Sequence, residues 1–145
     1  GVYLSGTIRT AAQPGIMCQI DVSEATVGGR FQYEPYDQAV SAQMGLVMIL
    51  LPNPLGGIAT AAYAAGDACE LYCPLPGEEM NVLLQDVAGT ADDFVVGDRL
   101  IVEDATGLFL ATTGTAADKS EPFYVLEAIT DPVADTLVHV QFTGY

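Results

Sequence analysis

Basic residues are scarce in this chain of 145 residues. Four lysines and arginines face 19 aspartates and glutamates, which gives a formal net charge of −15. Binding to a phosphate backbone or to an anionic membrane requires clustered positive charge. The four cations are instead spread along the sequence, at Arg9, Arg30, Arg99 and Lys119. Direct binding to nucleic acid or to an anionic membrane is therefore disfavoured.

Charged residues of either sign are also few. They make up 16% of the chain, against about 25% in ordinary soluble domains, while 50% of the residues are hydrophobic. A monomer of this size needs charged surface to stay dispersed, so we expect part of the surface to be buried against partner chains. The alternative is that frequent alanine inflates the apolar fraction, and the sequence leaves that alternative open.

Residues that carry catalysis are almost absent. His139 is the only histidine, so any Ser–His or Cys–His mechanism would need it. His139 lies in a strand-like segment between Val138 and Val140, which are expected to point into the core. The histidine side chain should therefore point to the opposite face, towards solvent or an interface. Adjacent residues of a strand point to opposite faces, so three acidic pairs are not ready acid–base dyads: Glu78–Glu79, Asp92–Asp93 and Glu103–Asp104. We expect no catalytic residue.

Cofactor and metal motifs are missing as well. The glycine patterns that cradle phosphates and the spacing of a calcium loop do not occur. Cys69 and Cys73 lie about 13 Å apart along a predicted strand, too far for a disulfide, and no second ligand pair supports zinc. Three free, partly buried thiols of a reducing compartment are expected. Lys119 follows Asp118, as in lipoyl domains, but without the flanking apolar strands, so we expect no cofactor.

Long hydrophobic runs do not occur either. The strongest, Met44 to Leu51, stops at Pro52. As a helix it would span about 12 Å, against about 30 Å for a bilayer core. Residues 1–15 lack the basic start and apolar block of a signal peptide. We therefore expect a soluble protein that is made in the cytoplasm and does not bind a membrane.

Short β-rich segments between turn residues are what the sequence does contain. Residues 97–112 show the pattern, with two apolar runs separated by a polar turn, which predicts a hairpin. The same pattern predicts an all-β fold, an antiparallel barrel or sandwich. The expected strands are 16–22, 30–33, 46–51, 68–72, 81–84, 99–102, 108–112, 123–127 and 137–142.

The first fifteen residues predict a segment of a different kind. They are small and mixed, they end at Pro14–Gly15, and they contain too few bulky apolar groups to form their own core. We expect an extended N-terminal arm over residues 1–15 that becomes ordered against a neighbour, or a disordered tail. The β-rich domain would occupy residues 16–145. The arm side chains expected at an interface are Val2, Tyr3, Leu4, Ile8 and Arg9.

Turn motifs in the second half occur in a familiar order. They read AYAAGD at 62–67, YCPLPGEEMN at 72–81, VGDRL at 96–100 and DATGL at 104–108, followed by YVLEA at 124–128. Over residues 60–142 the chain resembles the head decoration, or cement, proteins of tailed bacteriophages. The resemblance lies in turn chemistry, which any small antiparallel barrel needs, so its specificity is moderate.

The resemblance implies a small antiparallel β-barrel or β-tulip-like domain that serves as a virion structural protein without catalytic residues. It implies a homotrimer at three-fold and quasi-three-fold positions on the outer capsid surface, where it binds the major capsid protein and stabilises the expanded shell. The acidic charge fits an outward-facing position, and the chain would be in the host cytoplasm during assembly.

Two other hypotheses remain from the sequence. A receptor- or carbohydrate-binding β-domain displayed on a phage particle would use Tyr33, Tyr36, Tyr63 and Tyr72, although the chain has no tryptophan. A β-barrel hydrolase would use the pair Asp92–Asp93.

Overall fold

The computed structural model describes residues 1–21, 23–37, 46–58, 61–84, 93–102, 105–111, 123–130, 132 and 136–144. In these residues the chain is all-β, as predicted, and none of them lies in a helix that could cross a membrane. The strands are β1 (Val2–Ile8), β2 (Met17–Ile20), β3 (Thr26–Val27), β4 (Arg30–Pro35), β5 (Met48–Leu50), β6 (Ala68–Cys73), β7 (Glu79–Leu83), β8 (Arg99–Val102), β9 (Phe109–Ala111), β10 (Phe123–Val125) and β11 (Leu137–Phe142).

The first sheet closes into a five-stranded barrel. Its strand order is β1-β6-β5-β2-β4, and β4 returns to β1. That closing contact is parallel, with Thr7 opposite Gln32 and Ile8 opposite Tyr33, whereas the other pairs are antiparallel. The short β3 pairs with the beginning of β4 and extends the hairpin beyond the barrel. The predicted barrel is therefore confirmed, with one parallel contact.

The second sheet is antiparallel, in the order β7-β11-β10-β8-β9. A bridge between Leu84 and Phe109 joins the ends of its two outer strands, so the sheet curves into a half-barrel. The predicted hairpin of residues 97–112 forms β8 and β9, with Ile101 opposite Leu110. Its turn residues 103 and 104 lie outside the described residues.

Two apolar cores share the strands between them. In β2, Met17 packs with the second sheet while the next residue, Cys18, faces the barrel interior. In β5, Ile49 faces the second sheet while Leu50 faces the barrel. A strand buried on both faces needs a continuous apolar run rather than an alternating one. This is why the run that ends at Leu51 is a buried strand, as its sequence predicted.

One turn is repeated before three strands. It occurs at Ala64–Asp67, Leu75–Glu78 and Val95–Asp98, and its third residue is a glycine with φ of +86°, +91° or +94°. The acid in the fourth position accepts a hydrogen bond from the first backbone N–H at 2.8–2.9 Å. Each glycine N–H donates to a carbonyl of a neighbouring strand. The geometry is that of a type II turn closed by a carboxylate, which needs glycine in the third position.

The N-terminal segment is a strand rather than the predicted extended arm. β1 pairs along its length with β6, from Val2 opposite Cys73 to Thr7 opposite Ala68. Gly6 allows β4 to approach, because a Cβ atom there would clash with the Phe31 carbonyl oxygen. The predicted boundary at residue 15 is also corrected. Gly15 donates to Leu50 and accepts from Leu83, so it joins the two sheets.

Candidate interaction surface

The single histidine lies on the outer face of the second sheet. Val138 and Val140, on either side of it, are fully buried, so the predicted orientation is confirmed. His139 Nε2 lies 2.8 Å from Glu79 Oε2, and its Nδ1 lies 3.3 Å from Asn81 Oδ1. A side-chain hydroxyl or thiol is not among these partners, so the contacts are those of a cross-strand polar cluster.

The acidic pairs serve local structure where they are described. Glu78 closes the turn before β7 and accepts a hydrogen bond from the Tyr72 hydroxyl at 2.8 Å. The carboxylate of the neighbouring Glu79 instead contacts His139 Nε2. In the described part of the chain, no three His, Cys, Asp or Glu side chains are grouped closely enough to hold a metal ion. The remaining candidates lie outside the described residues: Asp92, Glu103, Asp104 and Lys119.

The three cysteines are free and buried, which confirms that part of the sequence prediction. Cys18, Cys69 and Cys73 all face the barrel core. Burial raises the pKa of the Cys18 thiol well above its usual range and raises that of Cys69 to about 11. Protonated, buried thiols are weak nucleophiles. The cysteines therefore behave as small apolar side chains of the barrel.

The tyrosines do not form the open aromatic site that a bound sugar would need. Tyr33 and Tyr63 are 1% exposed and belong to the barrel core. The Tyr63 hydroxyl donates to the Leu51 carbonyl oxygen at 2.8 Å, which satisfies it internally. Tyr36 is buried between the sheets, and only Tyr72 is half-exposed. The sequence placed these four residues together on composition alone, and the structure separates them.

Four of the five predicted interface residues lie in β1, and they point in different directions. Val2 and Tyr3 are 58% and 69% exposed, but as consecutive strand residues they point to opposite faces of the sheet. The Tyr3 ring packs on the Tyr72 ring, opposite it in β6, with centroids 4.9 Å apart. We call the patch of Tyr3 and Tyr72 the β1–β6 face. Leu4 is half-buried against the barrel core, and Ile8 is fully buried inside it. The Ile8 side chain is therefore unavailable to a partner, which corrects that part of the prediction.

Arg9, the fifth predicted interface residue, is held within the chain. Its Nη1 lies 3.0 Å from Asp21 Oδ1, 2.8 Å from Ser23 Oγ and 3.3 Å from Glu34 Oε2. The Asp21 carboxylate is buried and also accepts hydrogen bonds from Ser23 and from Gln32 Nε2. This network, which sequence reasoning did not find, fixes the bend between β2 and β3.

Beyond that bend, the β3–β4 hairpin projects into solvent. Gly28 and Gly29 form its tip, with φ of +59° and +79°, as a two-residue type I′ turn requires. Residues 23–31 are exposed throughout, including the apolar side chains of Val27 and Phe31.

The most exposed apolar side chains lie on the loop that follows β5. Leu55 is 94% exposed and Ile58 is 67% exposed. Asn53 organises this loop, because its Oδ1 accepts from the Leu55 N–H at 3.1 Å and its Nδ2 donates to the Ala62 carbonyl oxygen at 3.2 Å. We call residues 53–58 the apolar loop. The stop of the apolar run at Pro52 is consistent with a loop here, but the exposure of its leucine was not predicted.

A shallow cleft of about 480 Å³ opens beside the apolar loop. Small and apolar residues dominate its lining, and none of its ten lining residues is charged. Ala105, on one wall, has a φ of +68°, which is uncommon for a residue other than glycine. The described surface therefore offers three apolar features: the β1–β6 face, the projecting hairpin, and the apolar loop with its cleft.

Comparison with known proteins finds a likeness of structure rather than of sequence. No protein-family model matches the sequence, and no curated protein matches it either. The fold is similar to the crystal structure of the head fiber gp8.5 N base of bacteriophage phi29, with a TM-score of 0.56 and 14% sequence identity. The likeness covers 98% of this chain and 93% of that one. At this level of identity it shows a shared fold.

Proposed function

We propose that this chain is a non-enzymatic structural protein of a bacteriophage virion. It binds the outside of the capsid as a trimer, at three-fold and quasi-three-fold positions, and stabilises the expanded shell. The observation that carries the proposal is the likeness of fold, over nearly the whole chain, to a phage head fiber base. The turn motifs of residues 62–108, which resemble those of phage head decoration proteins, support it independently.

The surface of the chain is consistent with binding to other proteins in an assembly. Large apolar side chains are exposed on the β1–β6 face, on the projecting hairpin and on the apolar loop. Exposed apolar patches are typical of protein–protein contacts. The net charge of −15 keeps the outward surface soluble and away from nucleic acid. The major capsid protein is the proposed partner, and the chain passes through the host cytoplasm before assembly.

We assign the capsid contact to the β1–β6 face. Tyr3 is 69% exposed there and is already packed on Tyr72, so little side-chain freedom is lost on binding. A specific contact buries about 1,000 Å² or more. Three such contacts in one trimer act together, because the second and third form at high effective concentration. Binding only the assembled shell then stabilises it by mass action.

The alternative, a receptor- or carbohydrate-binding domain displayed on a phage particle, has less support. Three of the four tyrosines that would line a sugar site are buried. A domain displayed on a phage particle must itself be attached to that particle, so binding to shells does not separate the two functions. A glycan array does, because a protein that only stabilises the shell should bind none of the glycans.

The test uses expanded, genome-free shells of the phage that encodes the chain. Wild-type protein should co-sediment with these shells at micromolar concentration and raise their melting temperature. Tyr3→Ser should weaken the binding about tenfold or more. Val96→Ser, which changes an exposed apolar residue in the turn before β8, should bind normally. Protein that is folded and yet ignores the shells would overturn the proposal.

A further inference from the structure

Three segments without charge meet at one place on the surface. The longest stretches of the sequence that lack Asp, Glu, Lys, Arg and His are residues 10–20, 38–66 and 105–117. Nine of the ten residues that line the cleft belong to these stretches, and the tenth is Pro35. The apolar loop belongs to the longest of them. In a chain with 19 acidic residues, this convergence leaves the lining of the cleft free of carboxylates.

The apolar loop and the cleft form one continuous surface. Ala62 lines the cleft, and its carbonyl oxygen holds the Asn53 side chain. Asn53 in turn fixes the backbone of Leu55. The projecting leucine is therefore anchored to the wall of the hollow beside it. A projection next to a hollow, both uncharged, is a shape that a partner of the same kind can complement.

We propose that this surface binds a second copy of the same chain, with Leu55 of one copy seated in the cleft of the next. The inference rests on the proposed function for the trimer and assigns the surface that forms it. Two copies with a net charge of −15 each repel one another. Burying like charges against each other would be costly, so close approach is favoured where neither copy has a carboxylate.

The proposed trimer sets the symmetry of the contact. In a ring of three copies, Leu55 of each copy enters the cleft of the next without a reciprocal contact, so the interface is head-to-tail. A reciprocal pairing of the same two patches across a two-fold axis would give a dimer instead, and the mass in solution distinguishes the two. Leu55, 94% exposed in the single chain, would become the central anchor of the interface. The cleft residues around it, such as Ala11, Pro35 and Leu108, would supply an apolar floor.

The first test measures the mass of the protein in solution. Wild-type protein should have the mass of three chains, and Leu55→Asp should have the mass of one at the same concentration. Val96→Asp adds the same charge at an exposed valine in the turn before β8, and this variant should remain a trimer. Thermal unfolding of the fully diluted proteins shows whether both variants fold. A folded Leu55→Asp that stays trimeric, or a monomeric wild type, would overturn the inference.

The second test joins the two patches covalently. The native cysteines are buried, so mild oxidation should act only on cysteines introduced at the surface. The double variant Leu55→Cys, Ala11→Cys should form disulfide-linked dimers and trimers. Either single variant should stay unlinked under the same conditions. Efficient dimers of Leu55→Cys alone would place two projections face to face and would contradict the head-to-tail contact.

Shell binding distinguishes this inference from the function on which it rests. A trimeric wild type that ignores shells would overturn the proposed function and leave the self-association surface supported. Conversely, a Leu55→Asp variant that stays trimeric but loses shell binding would assign the surface to the capsid. That second result would overturn the inference while supporting the proposed function.

Discussion

Arg9 and Asp21 form an ion pair in which Nη1 lies 3.0 Å from Oδ1, and the Asp21 side chain has no exposed surface. A buried carboxylate is tolerated only when hydrogen bonds and opposite charge surround it. Here Ser23 and Gln32 provide the additional donors. The pair ties the end of β1 to the bend before β3, so it holds the projecting hairpin against the barrel.

Replacing Asp21 should destabilise the protein. Asp21→Ala removes the charged acceptor of the Ser23 and Gln32 side chains, and hydrogen bonds to a charged group contribute about 1.5–3 kcal/mol. Glu70→Ala, an exposed acid on the outer face of β6, should change the free energy of unfolding by less than about 0.5 kcal/mol. Urea denaturation of both variants measures the difference. Equal effects would show that the network contributes nothing.

The same carboxylate should make stability depend on pH in acid. Burial by itself raises the pKa of Asp21, but hydrogen bonds from Ser23, Gln32 and the Glu24 N–H outweigh it and lower the pKa to about 2. Because the folded pKa lies below the ordinary value of 3.8, this contribution to stability is complete above pH 4 and is lost as pH falls towards 2.

The comparison of wild type with Asp21→Asn isolates this contribution. The difference between their free energies of unfolding should be constant from pH 5 to pH 7 and should shrink between pH 4 and pH 2. Urea titrations at a series of pH values provide the measurement. A difference that stays constant down to pH 2 would contradict the lowered pKa.

The thiols should be protected in the native state. All three cysteines are buried, and burial raises the pKa of Cys69 to about 11, so little thiolate is present at pH 8. A thiol reagent should modify fewer than one cysteine per chain within minutes in native buffer and all three in denaturant. Leu55→Cys serves as the reactive control. Rapid modification of the native wild type would contradict the packing of the barrel.

Gly107 should be the least replaceable of the turn glycines. It has a φ of +69°, and a Cβ atom there would clash with the Met17 carbonyl oxygen, whereas a Cβ atom at Gly97 would meet open space at a φ of +94°. Gly97→Ala should therefore cost about 1–2 kcal/mol for the left-handed backbone alone. Gly107→Ala should cost clearly more, because it also displaces the Met17–Gly107 hydrogen bond. Thermal unfolding measures the loss of stability in each variant. Equal losses in Gly97→Ala and Gly107→Ala would exclude the clash at Gly107.

Strands with their own pattern were predictable from the sequence. Residues 99–102 and 137–142 coincide with β8 and β11. β8 is a run of the strand formers Ile101 and Val102 after Leu100, and in β11 the buried Val138, Val140 and Phe142 alternate with less buried residues. β1 was missed because Ser5 and Gly6 at its centre have little preference for a strand. Its conformation comes from pairing with β6 and β4, which are distant in the sequence. β3, with two residues, has no local signal at all.

The interaction surface was less predictable for a related reason. Exposure of Leu55 depends on how Asn53 bends its loop, and burial of Ile8 depends on closure of the barrel. Composition does not contain this information. Two signals were nevertheless present: the repeated glycine–acid corner before β6, β7 and β8, and the three stretches without charge that meet at the cleft.

Closure of the barrel has a consequence for how the chain acquires its structure. β1 cannot find its antiparallel partner until residue 73 has been synthesised, because that partner is β6. Until then the apolar side chains of the emerging N-terminal half have no completed interior to enter. Such non-local pairing slows folding to milliseconds or seconds. During translation the nascent chain would thus be most prone to aggregate just before its sixth strand leaves the ribosome.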